Sequence, residues 1–155
     1  MISLNRILAA TDFSPSSDHA LRYAAEFAQR FGAELHLLHV TQDLATAALA
    51  MAPLIPAEVD YREQQFEVAS RELDRLPAAL GLKVPKAVRE VREGTAFVEI
   101  IRYARDHQID LIVMGTHGRS GLAHVLLGSV AERVVRKAPC PVLTVRPPEH
   151  EFVMP

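Results

Sequence analysis

Cysteine is nearly absent from this chain: Cys140 is the only one among 155 residues. A single thiol excludes an intramolecular disulfide framework and a cysteine-rich zinc site, and it fits a reducing compartment. Neither sign of charge is in excess, because 17 lysines and arginines accompany 19 aspartates and glutamates, for a formal net charge of −2. This balance argues against a general polyanion binder, so we expect no nucleic-acid partner.

Long apolar runs are also missing. The longest uncharged stretch, residues 44–57, is too short to span a bilayer and is interrupted by Pro53 and Pro56. The first twelve residues lack the basic-then-apolar layout of a secretory signal. We therefore expect a cytoplasmic protein without membrane contact and, from its length, a single domain over residues 1–155.

Strand and helix patterns alternate along the chain. Short apolar runs without alternation are typical of strands that are buried on both faces, as in a parallel sheet. The sequence therefore predicts an α/β fold with an open five-stranded parallel sheet and helices on both faces. The predicted strands are Ile7–Ala10, Glu34–Val40, Ala87–Val91, Leu111–Met114 and Pro141–Val145. The predicted helices are 15–31, 58–76, one capped by Thr95, and 129–137. A variable loop at 41–57 and a tail at 147–155 stay unassigned.

Three short signals predict helix ends within this pattern. Ser14 followed by Pro15 predicts an N-cap and first helical position, and Gly32 predicts a left-handed C-terminal cap. Pro77 is expected to end or kink the second helix.

The loop after the fourth predicted strand has the chemistry of a phosphate-binding segment. It reads Gly115-Thr116-His117-Gly118-Arg119-Ser120-Gly121 and continues to Gly128-Ser129. Glycines let the backbone approach a ligand, and the loop leads into a helix N-terminus, which favours an anion. Arg119 adds a cation. The alternative is a glycine-rich turn without a ligand, and Ser129 with Glu132 also matches a capping box.

The spacing of the glycines is a more specific signal of function than the amino-acid composition of this loop. A P-loop and a dinucleotide-binding fingerprint are both absent from the sequence. The pattern G-x2-G-x9-G-[ST] is present as Gly115, Gly118, Gly128 and Ser129. Further matches are Asp12 with Ser14, Ser17 and Ala20-Leu21, and the run Pro139-Cys140-Pro141-Val142. With these residues the chain resembles the universal stress protein family, ATP-binding branch, over roughly residues 5–146.

The resemblance implies a Rossmann-like fold of the adenine nucleotide alpha hydrolase type. It also implies a bound ATP or another adenine nucleotide, with Mg²⁺ or Mn²⁺ held by the phosphates and water. Asp12 would lie near the adenosine, and the phosphates would lie by the glycine loop. The residues implied at the nucleotide are Ala10, Thr11, Asp12, Val40, Met114, Gly115, His117, Gly118, Arg119, Gly128, Ser129, Val130 and Ala131.

Several of these residues have simpler explanations that the sequence leaves open. Asp12 is also a common turn residue, and His117 would also suit an exposed loop. Val40 and Met114, at strand ends, could belong to the core. His36 and His39 lie three apart on a strand, so they should face opposite sides of the sheet and cannot share a metal ion.

Three functions fit this sequence. The first is an ATP-binding regulatory protein of the stress-response type, acting as a nucleotide-dependent switch on a protein partner that the sequence does not name. The others are a slow ATPase or phosphotransferase that uses the same pocket, and a nucleotide-free interaction module. No catalytic residue or metal ligand is assigned, because the matched motif lacks the groups that hydrolysis needs. The family resemblance further implies a homodimer, formed through the last strand, Pro141–Val145.

Overall fold

The computed structural model describes residues 2–42, 61–84, 86–116 and 127–146. Within these ranges, strands and helices alternate as the sequence predicts. The strands are β1 (Arg6–Thr11), β2 (Glu34–Thr41), β3 (Val88–Glu93), β4 (Leu111–Gly115) and β5 (Val142–Val145). The helices are α1 (Pro15–Phe31), α2 (Tyr61–Ala79), α3 (Ala96–Asp106) and α4 (Ser129–Lys137). Most of the 41–57 loop and the 147–155 tail lie outside the described residues.

The five strands form one parallel sheet in the order β3-β2-β1-β4-β5. The chain moves outward from β1 through β2 to β3 and then crosses back to β4 on the other side of β1. This reversal makes the gap between β1 and β4 the topological switch point, where ligands bind in sheets of this type. The predicted α/β fold class and its parallel sheet are confirmed.

Two apolar layers sandwich the sheet. Neighbouring strand residues alternate between them: Ile7 and Leu37 belong to the layer with α1 and α2, and Leu8 and Leu38 belong to the layer with α3 and α4. These four side chains are at most 1% exposed. Burial on both faces explains why the strands read as continuous apolar runs.

Helix α1 has the ends that its sequence predicts. The Ser14 side chain accepts a hydrogen bond from the Ser17 backbone N–H, and Pro15 occupies the first helical position. Gly32 closes the helix with φ of 65°, in the left-handed region where glycine carries no steric cost.

Helix α2 continues past Pro77 to Ala79, so the proline does not end it. A proline so close to the C-terminal end removes one backbone donor, and the following turn makes its own bonds. The N–H groups of Leu80 and Leu82 donate to the carbonyls of Leu76 and Pro77.

The two edges of the sheet differ in chemistry. The β3 edge is charged, with ion pairs between Arg92 and Glu90 and between Arg62 and Glu93. The opposite edge is β5, a four-residue strand of sequence Val-Leu-Thr-Val. Charges on an edge strand discourage pairing with another chain, whereas an uncharged edge lacks that protection.

A polar cluster interrupts the layer on the α3 side. His36 is 3% exposed, and its Nδ1 lies 2.8 Å from the Tyr103 hydroxyl. Its Nε2 lies 2.8 Å from a carboxylate oxygen of Glu34. The ring of His107 stacks on the ring of Tyr103 at a centroid distance of 3.9 Å. Because His39 bonds on the α1 side, the two histidines of β2 face opposite sides of the sheet, as their spacing predicts.

Candidate functional site

The carboxyl ends of β1, β2 and β4 lie at the same edge of the sheet because all three strands are parallel. β1 stands between the other two, with Ala10 beside Leu38 of β2 and Ala9 beside Val113 of β4. The residues that follow these strand ends therefore surround the switch point.

An apolar surface forms part of this edge on the α3 and α4 side. Met114 and Ala131 are buried there. Around them pack four partly buried side chains, those of Ala10, Val40, Leu127 and Val130. Five residues predicted for the nucleotide site thus belong to one cluster, since only Leu127 was not predicted. For Val40 and Met114 this also agrees with the simpler explanation that they contribute to the core.

The turn that joins β1 to α1 is held by short-range hydrogen bonds. The Thr11 hydroxyl accepts from the Phe13 N–H at 3.0 Å and lies 3.1 Å from the Ser17 hydroxyl. A carboxylate oxygen of Asp12 accepts from the Ser14 N–H at 3.0 Å. Asp12 is therefore a turn-forming residue in this structure, and the Thr11 side chain is engaged with α1.

Gly115 ends β4 where the first turn of α1 crosses it. A Cβ atom at this position would lie 2.5 Å from the Ser16 hydroxyl oxygen and 3.0 Å from the Ser16 carbonyl oxygen. Real Cβ atoms do not approach so closely, so the first motif glycine is required by the packing of a helix. The sequence suggested a different reason, the approach of a ligand.

Helix α4 begins one residue earlier than the capping box predicts. Its N-cap is Gly128, whose carbonyl accepts from the Glu132 N–H at 2.9 Å, and Ser129 is the first helical residue. The prediction of Ser129 as N-cap is wrong, because Glu132 bonds to the Gly128 carbonyl and therefore stands one position too late for the box. Glu132 instead pairs with Arg136 at 2.8 Å.

The start of α4 consequently lacks a side-chain cap within the described part of the chain. The first N–H groups of a helix have no intrahelical partner, and donors of this kind bind anions. The Gly128 N–H donates to the Thr116 carbonyl at 2.6 Å, which fixes this helix start to the residue after β4. Three predicted site residues, His117, Gly118 and Arg119, lie outside the described residues.

Two ionisable groups have displaced pKa values: Asp18 in the first turn of α1, and Cys140 before β5, at the opposite edge of the sheet. Burial raises the pKa of Asp18 in the first turn of α1, and Arg22 opposes that shift. Burial also raises the pKa of the Cys140 thiol, which makes it a poor nucleophile. Over the described ranges, no group of three or more histidine, cysteine, aspartate or glutamate side chains is arranged to hold a metal ion.

Two residues at this edge were not among those predicted for the site. His39 is buried, and its Nδ1 lies 2.8 Å from the Thr11 carbonyl oxygen. Phe13 packs its ring against His39 at a centroid distance of 4.3 Å. The parallel register of β1 and β2 places Thr11 beside His39 and so brings these residues together. This register cannot be predicted from the sequence of either strand alone.

Together, these features define a doubly wound α/β protein whose topological switch point lies between β1 and β4. The model of the Universal stress protein family matches residues 3–146, so the chain belongs to the universal stress protein family. No helix in the described ranges has the length and hydropathy needed to cross a membrane.

Individual relatives agree with this family. The universal stress protein MJ0531 of Methanocaldococcus jannaschii is 34% identical over 154 residues, covering 94% of this chain and 84% of the relative. The solved structure of MJ0577 matches with a TM-score of 0.78 and 29% identity, covering 94% of this chain and 97% of that chain. A universal stress protein solved in complex with cAMP shares the fold at a TM-score of 0.66 and 23% identity, covering 94% of this chain and 99% of that chain.

Proposed function

We propose that this protein binds an adenine nucleotide, ATP in the first place, in the crevice between β1 and β4. On this proposal it belongs to the ATP-binding branch of its family and acts as a nucleotide-dependent regulatory protein. The observation that carries the proposal is the start of α4. This helix N-terminus lies next to the switch point, has no side-chain cap bond among the described residues, and falls within the spacing G-x2-G-x9-G-S.

The neighbouring surface suits the rest of a nucleotide. Ala10, Val40 and Val130 are partly buried side chains of one apolar cluster, and such a surface fits the flat face of adenine. Asp12 would bind the adenosine from the turn after β1. A related protein of the same fold was solved with cAMP, which is also an adenine nucleotide.

Metal binding would depend on the nucleotide. Because the described residues offer no cluster of metal ligands, Mg²⁺ or Mn²⁺ would be held mainly by phosphate oxygens and water. His117, Gly118 and Arg119 are proposed to complete the phosphate site on the strength of the sequence motif alone.

Nucleotide binding is tested by replacing Gly128 with valine. The side chain would stand at the mouth of the α4 N-terminus and exclude phosphate, so we expect the affinity for ATP to fall about tenfold or more, or about 1.4 kcal/mol. Isothermal titration calorimetry measures the affinity. Thr95→Val is the matched control, because Thr95 is also an N-cap residue, at the start of α3, and its side chain makes no cap bond in the part of the chain that the structure describes.

Measurements on the wild-type protein test whether it binds a nucleotide at all. Mass spectrometry of denatured protein, purified without added nucleotide, should detect ATP, AMP or a related compound. No bound nucleotide, together with no heat of ATP binding, would refute the proposal and favour an interaction module. Release of phosphate from labelled ATP within seconds would favour an enzyme instead.

Dimer formation through β5 is a second proposal. The Ile112 and Thr116 N–H groups donate to the Pro141 and Val145 carbonyls, so odd-numbered residues of β5 bond to β4. By the alternation of a strand, the N–H groups of Val142 and Thr144 face the open edge. A second copy could pair there.

Thr144→Pro should therefore break the dimer while leaving β4–β5 pairing intact, since proline removes only an outward donor. Light scattering at micromolar concentrations should give a dimer mass for the wild type and for Thr144→Val, and a monomer mass for Thr144→Pro. A monomeric wild type would contradict pairing at this edge.

A further inference from the structure

The backbone at Phe13 adopts an unusual conformation. Its φ is 62°, in the left-handed region that bulky side chains rarely enter. Phe13 directly follows Asp12, the residue proposed to bind adenosine. Strained backbone of this kind persists only where the surrounding structure holds it, and it concentrates at functional sites.

Contacts from β1 and β2 hold this strained residue. The Phe13 N–H donates to the Thr11 hydroxyl at 3.0 Å, and the ring lies 4.3 Å from the His39 ring. The Nδ1 of His39 lies 2.8 Å from the Thr11 carbonyl oxygen. A carbonyl oxygen only accepts, so Nδ1 carries the proton and donates. His39 therefore ties the end of β1 to β2 and supports the Phe13 ring with the same imidazole.

We propose that His39 and Phe13 are positioning residues for nucleotide binding. They hold the turn from Thr11 to Ser14 in its strained conformation, and that conformation places Asp12 at the crevice. The inference rests on the proposed function, since it assigns these residues a role at the same site. Neither residue belongs to the glycine motif or to the set that the sequence predicted.

His36 provides a matched control on the same strand. Both histidines are buried, and each has its Nδ1 in a hydrogen bond of 2.8 Å. His36 bonds to Tyr103 on the opposite face of the sheet, away from the turn. Loss of either ring should cost the protein stability, but only loss of His39 should alter the turn.

The experiment compares His39→Leu, His39→Asn and His36→Leu with the wild type. Amide hydrogen exchange by NMR, without nucleotide, reports on the Phe13 and Ser14 N–H groups, and calorimetry reports the ATP affinity. In His39→Leu we expect both amides to exchange faster and the affinity to fall, each by about tenfold, the factor that one hydrogen bond of ordinary strength gives. Asparagine carries an amide nitrogen near the position of Nδ1, so His39→Asn should recover most of both effects.

The possible results distinguish the proposed nucleotide binding from the proposed positioning role of His39 and Phe13. A wild type that binds no ATP refutes the proposed function, while the exchange data still decide whether His39 holds the turn. Unchanged ATP affinity in folded His39→Leu overturns the positioning role, and so does an equal loss of affinity in His36→Leu. If His39→Leu does not fold, Phe13→Leu replaces it. That variant keeps the His39 hydrogen bond, should show the same faster exchange and weaker binding, and overturns the inference if it shows neither.

Discussion

Replacement of Gly115 by valine should lower the free energy of unfolding by about 2–3 kcal/mol, at the upper end of what overpacking costs. The new Cβ would lie 2.5 Å from the Ser16 hydroxyl oxygen and 3.0 Å from backbone atoms of Ser16. Either the first turn of α1 or the end of β4 must shift to relieve this contact. Urea denaturation followed by circular dichroism measures the change, and an unaltered midpoint would contradict the assigned contact.

Three further variants, Gly32→Ala, Ser16→Ala and Gly115→Ala, identify the cause of the Gly115 effect. Gly32→Ala is the control for backbone conformation, since Gly32 has φ of 65° and open space around its Cβ position. Its expected cost is about 1 kcal/mol. Ser16→Ala tests the steric contact. The Ser16 hydroxyl is buried and has no hydrogen-bond partner among the described residues, so alanine should recover part of the stability of a Gly115→Ala protein. Additive effects of the two alanines would argue against direct contact.

Acid should destabilise this protein through His36. Burial is the main cause that lowers the pKa of His36 below its usual 6.5, His107 and Arg6 add to the shift, and Glu34 opposes it. Burial also raises the pKa of Tyr103 to about 12, so that hydroxyl stays protonated and donates to the His36 Nδ1. The folded protein therefore holds His36 neutral, whereas the unfolded chain takes up a proton near pH 6.5.

The sign of the pH effect follows from proton uptake. Stability from His36 is fully present above pH 6.5 and is lost as the pH falls towards the lower pKa of the folded state, with a slope of at most about 1.4 kcal/mol per pH unit. Urea denaturation between pH 7.5 and 5.5 should show this loss in the wild type and a flatter profile in His36→Gln. Parallel profiles for the two proteins would contradict a buried neutral His36.

Much of the fold could be predicted from the sequence because burial on both faces leaves a plain signal. The run Leu111 to Met114 is apolar without alternation, and it forms β4 almost to the residue. Helix ends were predictable where side chain and backbone agree, as at Ser14 and Gly32. The start of α4 was not predictable in this way, because the capping-box start and the observed start differ by only one residue. At α4 the spacing of Ser129 and Glu132 fits a capping box, but the helix starts at the Gly128 carbonyl.

The candidate site was predictable only in part, because some of its contacts join residues that lie far apart in the sequence. The glycine motif and Asp12 are local patterns, so a single segment reveals them. His39 acts through a register between β1 and β2, and Gly115 acts through a helix that begins at Pro15, so no one segment contains the information. The sequence assigned Gly115 to ligand approach because that is the common use of a loop glycine, whereas here the neighbouring helix occupies the space.

The difference in charge between the two edge strands has a consequence for how many copies of the chain can join one sheet. A sheet with two apolar edges can add copies at both ends and extend without limit, as amyloid does. Here β3 presents Arg92, Glu90 and Glu93 along one edge, and β5 is short and apolar at the other. Pairing of two copies through β5 would leave a charged strand at each outer end. The two outer edges of such a ten-stranded sheet would both carry the charged sequence Val-Arg-Glu-Val-Arg-Glu, which would discourage pairing with a third copy.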